Sequence, residues 1–237
     1  MAISVSIIIP TFNEAKDLPR LLKSIKNQTQ PPQEVIVADA FSVDETVKIA
    51  RKFGATVVAG GLPAKARNSG AKIAGSSILL FLDADVILPP KFLEQTVMEM
   101  QKRSLDITSC FITPRSKLRR DKFLHHFANY YMRMTQKFHP HIPGSCIFVK
   151  STLHKTIGGF DESLFMAEDH DYLKRAKKMG KFGYLKSYKI PVSVRRLSEE
   201  GRINIALKYI AVELHLLFIG EIRKNIFEYK FGRHFKS

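Results

Sequence analysis

Residues 77–85 have the sequence Ser-Ile-Leu-Leu-Phe-Leu-Asp-Ala-Asp, in which five consecutive apolar residues lead to two carboxylates. A short apolar run of this kind is typical of a strand that is covered on both faces. Such strands occur mainly in parallel sheets, whose ligands bind beyond the carboxyl ends of the strands. The stretch therefore predicts an α/β fold with Asp83 and Asp85 at the edge of the sheet where a ligand binds.

Similar apolar segments precede this stretch and alternate with helical patterns. The predicted strands are residues 4–10, 34–39, 55–58 and 77–82, and the predicted helices are residues 14–27, 43–53 and 64–75. This alternation indicates a mostly parallel central sheet with helices on both faces. Further strands are predicted at residues 105–113 and 142–150. Pro10 is expected to end the first strand, because proline cannot donate a ladder hydrogen bond.

Polar side chains also follow two of the other predicted strands. Thr11, Asn13 and Glu14 come directly after the first strand, and Asp39 ends the second. Because the carboxyl ends of parallel strands meet at one edge of a sheet, we expect these groups to line one crevice with the two carboxylates of the fourth strand. An alternative for the residues after the first strand is that they cap the next helix.

The sequence lacks the glycine-rich loops that usually bind phosphate. Neither GxGxxG after the first strand nor GxxxxGK[ST] occurs, which argues against a dinucleotide-binding fold and a P-loop. Two carboxylates two residues apart, as in Asp83-Ala84-Asp85, can instead hold a divalent cation that neutralises a diphosphate. A turn or a helix cap is the simpler interpretation of such a pair taken alone.

The net charge of +16 is concentrated in two parts of the chain. Residues 115–137 carry seven Lys or Arg against one acidic residue, and residues 172–237 carry 16 against five. Basic patches attract anionic membrane surfaces, phosphorylated ligands or nucleic acid. No nucleic-acid-binding motif is present, and the acidic strand ends would repel phosphate without a metal, so we expect no nucleic-acid partner.

The pattern at the end of the chain predicts an amphipathic helix. Ile203, Leu207, Ile210, Leu214 and Leu217 follow a 4-3-4-3 spacing, and a basic tail comes after them. Charged residues within this helix argue against a membrane span. Three roles remain open for its apolar face, namely binding an anionic bilayer, packing on the rest of the protein, and forming a homo-oligomer.

Six segments, in this order, resemble glycosyltransferase family 2, whose members have the GT-A fold. They are residues 7–14, 35–46, 66–70, 81–85, 158–162 and 168–171. The resemblance implies inverting transfer of a sugar from a nucleotide diphosphate sugar, with Mn²⁺ or Mg²⁺ as the cofactor. One departure is that Ala38-Asp39 replaces the usual pair of acids after the second strand, which leaves the identity of the nucleotide base open.

The resemblance also implies roles for individual residues. Asp169 would be the general base, and Asp83 and Asp85 would bind the metal. The donor would be bound by Pro10, Thr11, Asn13, Glu14, Asp39, Arg67 and Asp83. Contacts to the acceptor or to the transferred sugar would come from Gly159, Phe160, Asp161, Glu162 and Glu168. Arg195 and Arg196 would offset the charge of the diphosphate.

From these roles we predict a catalytic domain followed by a C-terminal segment. A catalytic domain covers residues 1–200, with a donor-binding half at 1–114 and an acceptor-side half at 115–200, and residues 201–237 form the C-terminal helix and tail. Aromatic residues alternate with basic ones in residues 115–137, as in interfacial helices, which favours a lipid-linked or membrane-proximal acceptor. A second interpretation is a polyprenyl-phosphate sugar synthase of the same fold, and a distant third is a nucleic-acid-binding protein without enzymatic activity.

The cysteine content bears on localisation. The two cysteines, Cys110 and Cys146, do not form a CxxC motif, and so few cysteines fit a reducing compartment. The first residues lack the basic region of a secretory signal. We therefore expect a cytoplasmic protein that lies at the cytoplasmic face of the membrane.

Overall fold

The computed structural model of the chain describes residues 4–138 and 140–227. The strands within these residues are β1 (Val5–Thr11), β2 (Glu34–Asp39), β3 (Thr56–Ala59), β4 (Ile78–Leu82), β5 (Ile107–Pro114), β6 (Cys146–Lys150) and β7 (Phe182–Val192). The helices are α1 (Leu18–Lys26), α2 (Thr46–Lys52), α3 (Pro63–Ile73), α4 (Phe92–Lys102), α5 (Arg119–Thr135), α6 (Ser151–Thr156), α7 (Glu168–Met179), α8 (Arg195–Glu199) and α9 (Arg202–Phe218).

All these strands form one sheet, in the order β3-β2-β1-β4-β6-β5-β7. Only β6 runs against its neighbours, and it lies between β4 and β5. The remaining pairs, including β5 with β7, are parallel. The predicted α/β fold with a mostly parallel sheet is therefore confirmed.

The register of the strands brings their polar ends to one edge. Thr11, the last residue of β1, lies opposite Asp39, the last residue of β2. On the other side of β1, Ile8 lies opposite Phe81 of β4. Residues that follow β1, β2 and β4 therefore emerge at the same edge of the sheet, as the strand pattern predicts.

Helices cover both faces of the sheet. Alternate residues of β1 point to opposite faces and therefore pack against different helices. Ile7 and Ile9 pack into an apolar cluster with α1 and α4, whereas Ile8 packs into another with α3 and α7. Both clusters consist of buried side chains. Burial of this apolar surface is the main favourable contribution to the stability of such a domain.

Several predicted boundaries differ from the structure; the strand predicted at residues 142–150, for example, is Cys146–Lys150. Pro10 does not end the first strand, since β1 continues to Thr11 and Pro10 pairs with Ala38. The pairing of β1 with β4 ends at Ile8, so β1 has a neighbour on only one side at the proline, where a missing N–H is tolerated. The first helix begins at Leu18 rather than near residue 14, with a proline in its first turn.

Helix α9 lies where the C-terminal helix is predicted. Its buried residues are Ile205 and Val212, while its predicted apolar stripe from Ile203 to Leu217 is exposed. Apolar side chains thus occur on both its buried and its exposed sides, and a single apolar face is not confirmed. Within the two described ranges, no helix has both the length and the apolar character needed to cross a bilayer.

Candidate active site

The ends of β1 and β2 form one wall of the site. Asp39 is buried, and its Oδ1 accepts hydrogen bonds from Thr11 Oγ1 at 2.9 Å and Ser42 Oγ at 2.6 Å. Asn13 has a left-handed backbone, and its Oδ1 accepts a hydrogen bond from the Val43 N–H at 3.0 Å. The predicted donor residues Thr11, Asn13 and Asp39 therefore lie together. Ser42, which links them, has no signal in the sequence pattern.

Glu14 connects this wall to helix α8, which is far from it in the sequence. The Glu14 carboxylate accepts hydrogen bonds from Arg195 Nη2 at 3.1 Å and Nη1 at 3.3 Å. Both side chains are largely buried. Two residues predicted for separate roles in donor binding thus form an ion pair that closes one side of the crevice.

The two carboxylates after β4 lie in the same crevice. Burial raises the pKa of Asp85 to about 7, the negative charges of Asp83 and Glu14 add to the shift, and the arginines of α8, Arg195 and Arg196, oppose it. Carboxylate oxygens suit Mg²⁺ and Mn²⁺, and a divalent cation would relieve the repulsion between these like charges. The residues present therefore fit the predicted metal.

Arg67 of α3 organises the carboxylates on the other side of the crevice. It is 3% exposed, and its Nη1 lies 2.6 Å from Glu168 Oε1 while its Nη2 lies 3.5 Å from Asp83 Oδ1. Burial alone would lower the pKa of Arg67, but the charges of Glu168, Asp83 and Asp169 raise it. The side chains that form ion pairs with Arg67 are thus acidic, and contact of Arg67 or Glu168 with substrate stays a prediction.

Asp169 is the second residue of α7, beside Arg67. Its Oδ1 accepts a hydrogen bond from the His170 N–H at 2.9 Å. Burial raises the pKa of Asp169 to about 6, although the charge of Arg67 opposes this. A carboxylate with a pKa close to neutrality is suited to accept a proton at physiological pH.

Gly144 permits this close arrangement. A Cβ atom at this position would lie 2.9 Å from Arg67 Nη2 and 3.1 Å from Asp169 Oδ2. The carbonyl of Gly144 also accepts a hydrogen bond from Arg67 Nη2 at 3.3 Å. The sequence pattern misses this residue because nothing local indicates that a side chain from another element approaches it.

The turn after α6 packs against the side chains of Asn68 and Arg67 on α3. Gly159 has φ of 73°, and the Phe160 N–H donates to Asn68 Oδ1 at 2.9 Å. Phe160 is 3% exposed and stacks on Tyr172 with ring centroids 3.9 Å apart. The Arg67 guanidinium lies 5.3 Å from the Phe160 ring centroid. Phe160 therefore packs beneath Arg67, and its contact with the acceptor or the transferred sugar stays a prediction.

The acidic residues of the same turn have partners within the protein. Asp161 Oδ1 accepts a hydrogen bond from the Ser163 N–H at 2.9 Å, and Glu162 Oε1 accepts one from Asn68 Nδ2 at 2.9 Å. Asp161 also lies 3.8 Å from Arg223. Asp161 thus binds its own turn and Glu162 binds helix α3, and their contact with the acceptor stays a prediction.

Helix α9 borders the site through polar contacts that the sequence does not indicate. Tyr209 hydrogen-bonds to Arg196. Desolvation is the main cause that raises the pKa of Tyr209, and the negative charge of Asp169 adds to the shift. Arg202 Nε lies 2.6 Å from Asp121 Oδ1 at the start of α5. Helix α9 is therefore attached to α5 and to α8.

Comparisons with known proteins agree with this architecture. The model of glycosyl transferase family 2 matches residues 6–158. The glycosyltransferase AglE of Haloferax volcanii is 28% identical over 189 residues, which cover 74% of this chain and 62% of that protein. The 4,4'-diaponeurosporenoate glycosyltransferase of Staphylococcus haemolyticus is 37% identical over 109 residues, which cover 42% of this chain and 29% of that protein.

A solved structure shares the fold. The mannosyltransferase PcManGT from Pyrobaculum calidifontis, in complex with GDP-Man and Mn²⁺, superposes with a TM-score of 0.71 and 22% identity, covering 89% of this chain and 62% of that one. The chain thus spans less than two thirds of the length of each of these three proteins.

Proposed function

We propose that this chain, which belongs to glycosyltransferase family 2, transfers a sugar from a nucleotide diphosphate sugar to an acceptor with inversion at the anomeric carbon. The observation that carries the proposal is the carboxylate crevice at the ends of β1, β2 and β4, with Asp169 facing it from α7. Such an arrangement supplies both parts of an inverting displacement, a site for the leaving diphosphate and a base for the attacking group.

The donor would bind along the wall formed by β1 and β2. Thr11 and Asn13 contribute polar groups there, and Asp39 is a hydrogen-bonded carboxylate suited to the base or ribose. Asp83 and Asp85 would hold Mn²⁺ or Mg²⁺, which would supply positive charge to the diphosphate leaving group. Arg196 would add a further charge from α8.

Asp169 would act on the acceptor. The acceptor oxygen attacks the anomeric carbon, its proton passes to the Asp169 carboxylate, and the bond to the diphosphate breaks on the opposite face of the sugar. Arg67 binds Glu168 and offsets the negative charges of Glu168 and Asp169. The base thus stays ionised near neutral pH although it is buried.

The simplest test of this function is hydrolysis or transfer from a panel of nucleotide sugars, with and without Mn²⁺ or Mg²⁺. Metal-stimulated release of a nucleoside diphosphate from at least one donor supports the proposal. A chain that neither binds nor consumes any donor of the panel in the presence of metal would contradict the proposal, because donor binding is the role that it assigns to the crevice.

Substitution of Asp85 tests the metal. Asp85→Ala is expected to remove the part of nucleoside diphosphate binding that Mn²⁺ promotes, and to weaken affinity at least about tenfold, or ~1.4 kcal/mol. Isothermal titration with and without Mn²⁺ measures the effect. The matched control is Asp106→Asn, which changes a carboxylate that lies before β5, at the opposite edge of the sheet. Equal affinities for wild type and Asp85→Ala would refute the metal assignment.

Two exposed apolar stripes support a membrane-proximal acceptor. In α5 the stripe consists of Phe123, Phe127, Tyr130 and Met134, which are 58–69% exposed. In α9 it consists of Ile203, Leu207, Ile210, Leu214 and Leu217, which are 51–78% exposed. Exposed apolar surface of this extent marks interaction sites. Because α5 also carries Arg119, Arg120, Lys122 and Arg133, we propose that the occupant is an anionic bilayer.

Liposome flotation tests the bilayer. The full chain is expected to float with anionic liposomes at low salt, and to be released at high salt, since each basic residue near the surface contributes about 1 kcal/mol and salt screens it. Phe123→Ser/Phe127→Ser should abolish flotation, whereas Met98→Ser, at an equally exposed methionine of α4, should not. If the wild type does not float, the bilayer proposal is wrong. The stripes would then contact a second copy of the chain, which a measurement of oligomeric state detects.

The basic and apolar character of α5 also favours a second candidate, a polyprenyl-phosphate sugar synthase. Its nucleophile would be a lipid phosphate, which is ionised at neutral pH and needs no base. Arg115, which donates a hydrogen bond to the Asp85 carbonyl at 2.8 Å, lies between α5 and the crevice and could contact such a phosphate. Loss of Asp169 should then slow transfer only mildly.

A further inference from the structure

We infer that His141, His170 and Glu213 form a binding site for a divalent metal ion of the zinc class, made of residues other than the Asp83–Asp85 pair. The candidate ligand atoms of these three side chains all lie within 4.8 Å of one another. The three residues come from the segment before β6, from α7 and from α9. The inference concerns the attachment of α9 and does not depend on the sugar-transfer reaction.

The distances are close to those that a bound ion requires. His141 Nε2 lies 2.8 Å from Glu213 Oε2, and His170 Nδ1 lies 3.9 Å from Glu213 Oε1. The two imidazole rings are perpendicular, with centroids 4.7 Å apart. Ligand atoms around a tetrahedral zinc ion are separated by roughly 3.4 Å, so small side-chain rotations suffice to complete the site.

Polar groups lie beside the outer nitrogens of both imidazoles. His141 is buried, its Nδ1 lies 3.5 Å from Thr135 Oγ1, and its backbone carbonyl accepts a hydrogen bond from the Tyr184 hydroxyl. On His170, Nε2 lies 3.9 Å from Asp169 Oδ1, on the ring side away from Glu213. A carboxylate or hydroxyl on the outer nitrogen is the usual support of a metal-bound histidine.

The ligand types select the ion. Two imidazoles and one carboxylate are one of the ligand sets of three-residue zinc sites, which leave a fourth position for water or substrate. Mg²⁺ and Ca²⁺ prefer sites made of oxygen ligands, so these ions are expected to bind poorly here. Among common cellular cations the site thus favours Zn²⁺.

Such an ion would fasten α9 to the catalytic domain. The buried apolar contacts of α9 are few, with Val212 in a small cluster that also contains Met166 and Ile222. Glu213 is the next residue after Val212, and both of its histidine partners belong to the catalytic domain. Because one of them, His170, follows Asp169 directly, the ion would also fix the start of α7 where the proposed base lies.

The experiment uses the full chain after chelation and desalting, in the Asp85→Ala background so that the other candidate site is silenced. Titration with ZnCl₂ alone, without nucleotide, is expected to show one bound ion. Glu213→Gln and His141→Gln should each weaken this binding by at least about 10–100-fold. His126→Gln, at an exposed histidine of α5, is the matched control and should bind Zn²⁺ like the parent.

Cobalt provides a readout of ligand geometry. Co²⁺ bound to the parent protein should give the intense visible absorption of a four-coordinate ion, and Glu213→Gln should lose it. Glu213→Gln keeps the size of a partly exposed side chain, so it tests the inference even if His141→Gln fails to fold. A parent protein that binds no Zn²⁺, or Zn²⁺ binding that Glu213→Gln leaves unchanged, would overturn the inference.

Discussion

Asp169→Asn is expected to bind the donor normally and to transfer sugar about 10²–10⁴-fold more slowly, the range typical of removing a general base. Asparagine is nearly isosteric with aspartate but cannot accept a proton. The side chain is largely buried near Arg67, so the neutral amide removes a desolvated charge and should not unfold the protein. The measurements are donor affinity by titration and single-turnover transfer with saturating acceptor.

The pH profile supplies a second readout of the same role. Because the pKa of Asp169 is about 6, the basic form predominates above that pH, and wild-type transfer should rise as the pH increases through about 6. In Asp169→Asn this rise of the transfer rate with pH should be absent. Donor affinity that remains at wild-type strength while transfer remains near normal would eliminate Asp169 as the base for a hydroxyl acceptor. A mild loss with a phosphate acceptor would favour the polyprenyl-phosphate alternative.

Arg67→Met is expected to lower the free energy of unfolding by about 3–5 kcal/mol, the cost of breaking a buried ion pair. The Arg67 and Glu168 side chains are only 4% and 9% exposed, so methionine leaves Glu168 buried without its cation. Asp169 and Asp83, whose charges also act on Arg67, would lose the same compensation. Urea unfolding at neutral pH measures the effect.

The dependence of this loss on pH separates charge from packing. Burial raises the pKa of Glu168 and Asp169 above their ordinary values, and removal of Arg67 raises them further. The protonated acids therefore stabilise the fold below pH about 4, and that stabilisation is lost as the pH rises through the raised values. The deficit of Arg67→Met should shrink at low pH. Arg51→Met, at an exposed arginine of α2, should change stability by less than about 0.5 kcal/mol. If the loss in free energy of unfolding stays constant with pH, its cause is lost packing and not the unpaired charges.

The parts of the site that the sequence predicts are those carried by local patterns. The apolar run before Asp83 and the short strand before Asp39 each indicate a strand and the position of its end. Parallel strands bring such ends to one edge, so the convergence of Thr11, Asp39 and Asp83 follows from the pattern alone. The family resemblance adds Asp169, whose position on α7 has no local signature beyond an acidic first turn.

The parts that the sequence does not predict depend on contacts between distant elements. The ion pair of Glu14 with Arg195 joins residues 181 positions apart, and Arg67 reaches Glu168 over 101 positions. Neither contact leaves a periodic signal, because each depends on how the sheet orders its strands. Helix α9 shows another limit, since the spacing of Leu207 and Leu214 identifies a shared face but not whether protein or solvent lies against it.

The strand order has a consequence for how the protein acquires its structure. Among the strands that the structure describes, β5 pairs with none that precedes it in the chain; its partners are β6 and β7, both of which come later. Strand β6 also pairs with β4, on the side of β4 that faces away from β1. This one short strand therefore joins β3-β2-β1-β4 to β5-β7. During synthesis, β4 and β5 must therefore remain unpaired on these sides until residues 146–150 have emerged. Pairings of this range slow folding and make it cooperative, and we expect the region around β6 to be where the nascent chain depends most on protection from aggregation.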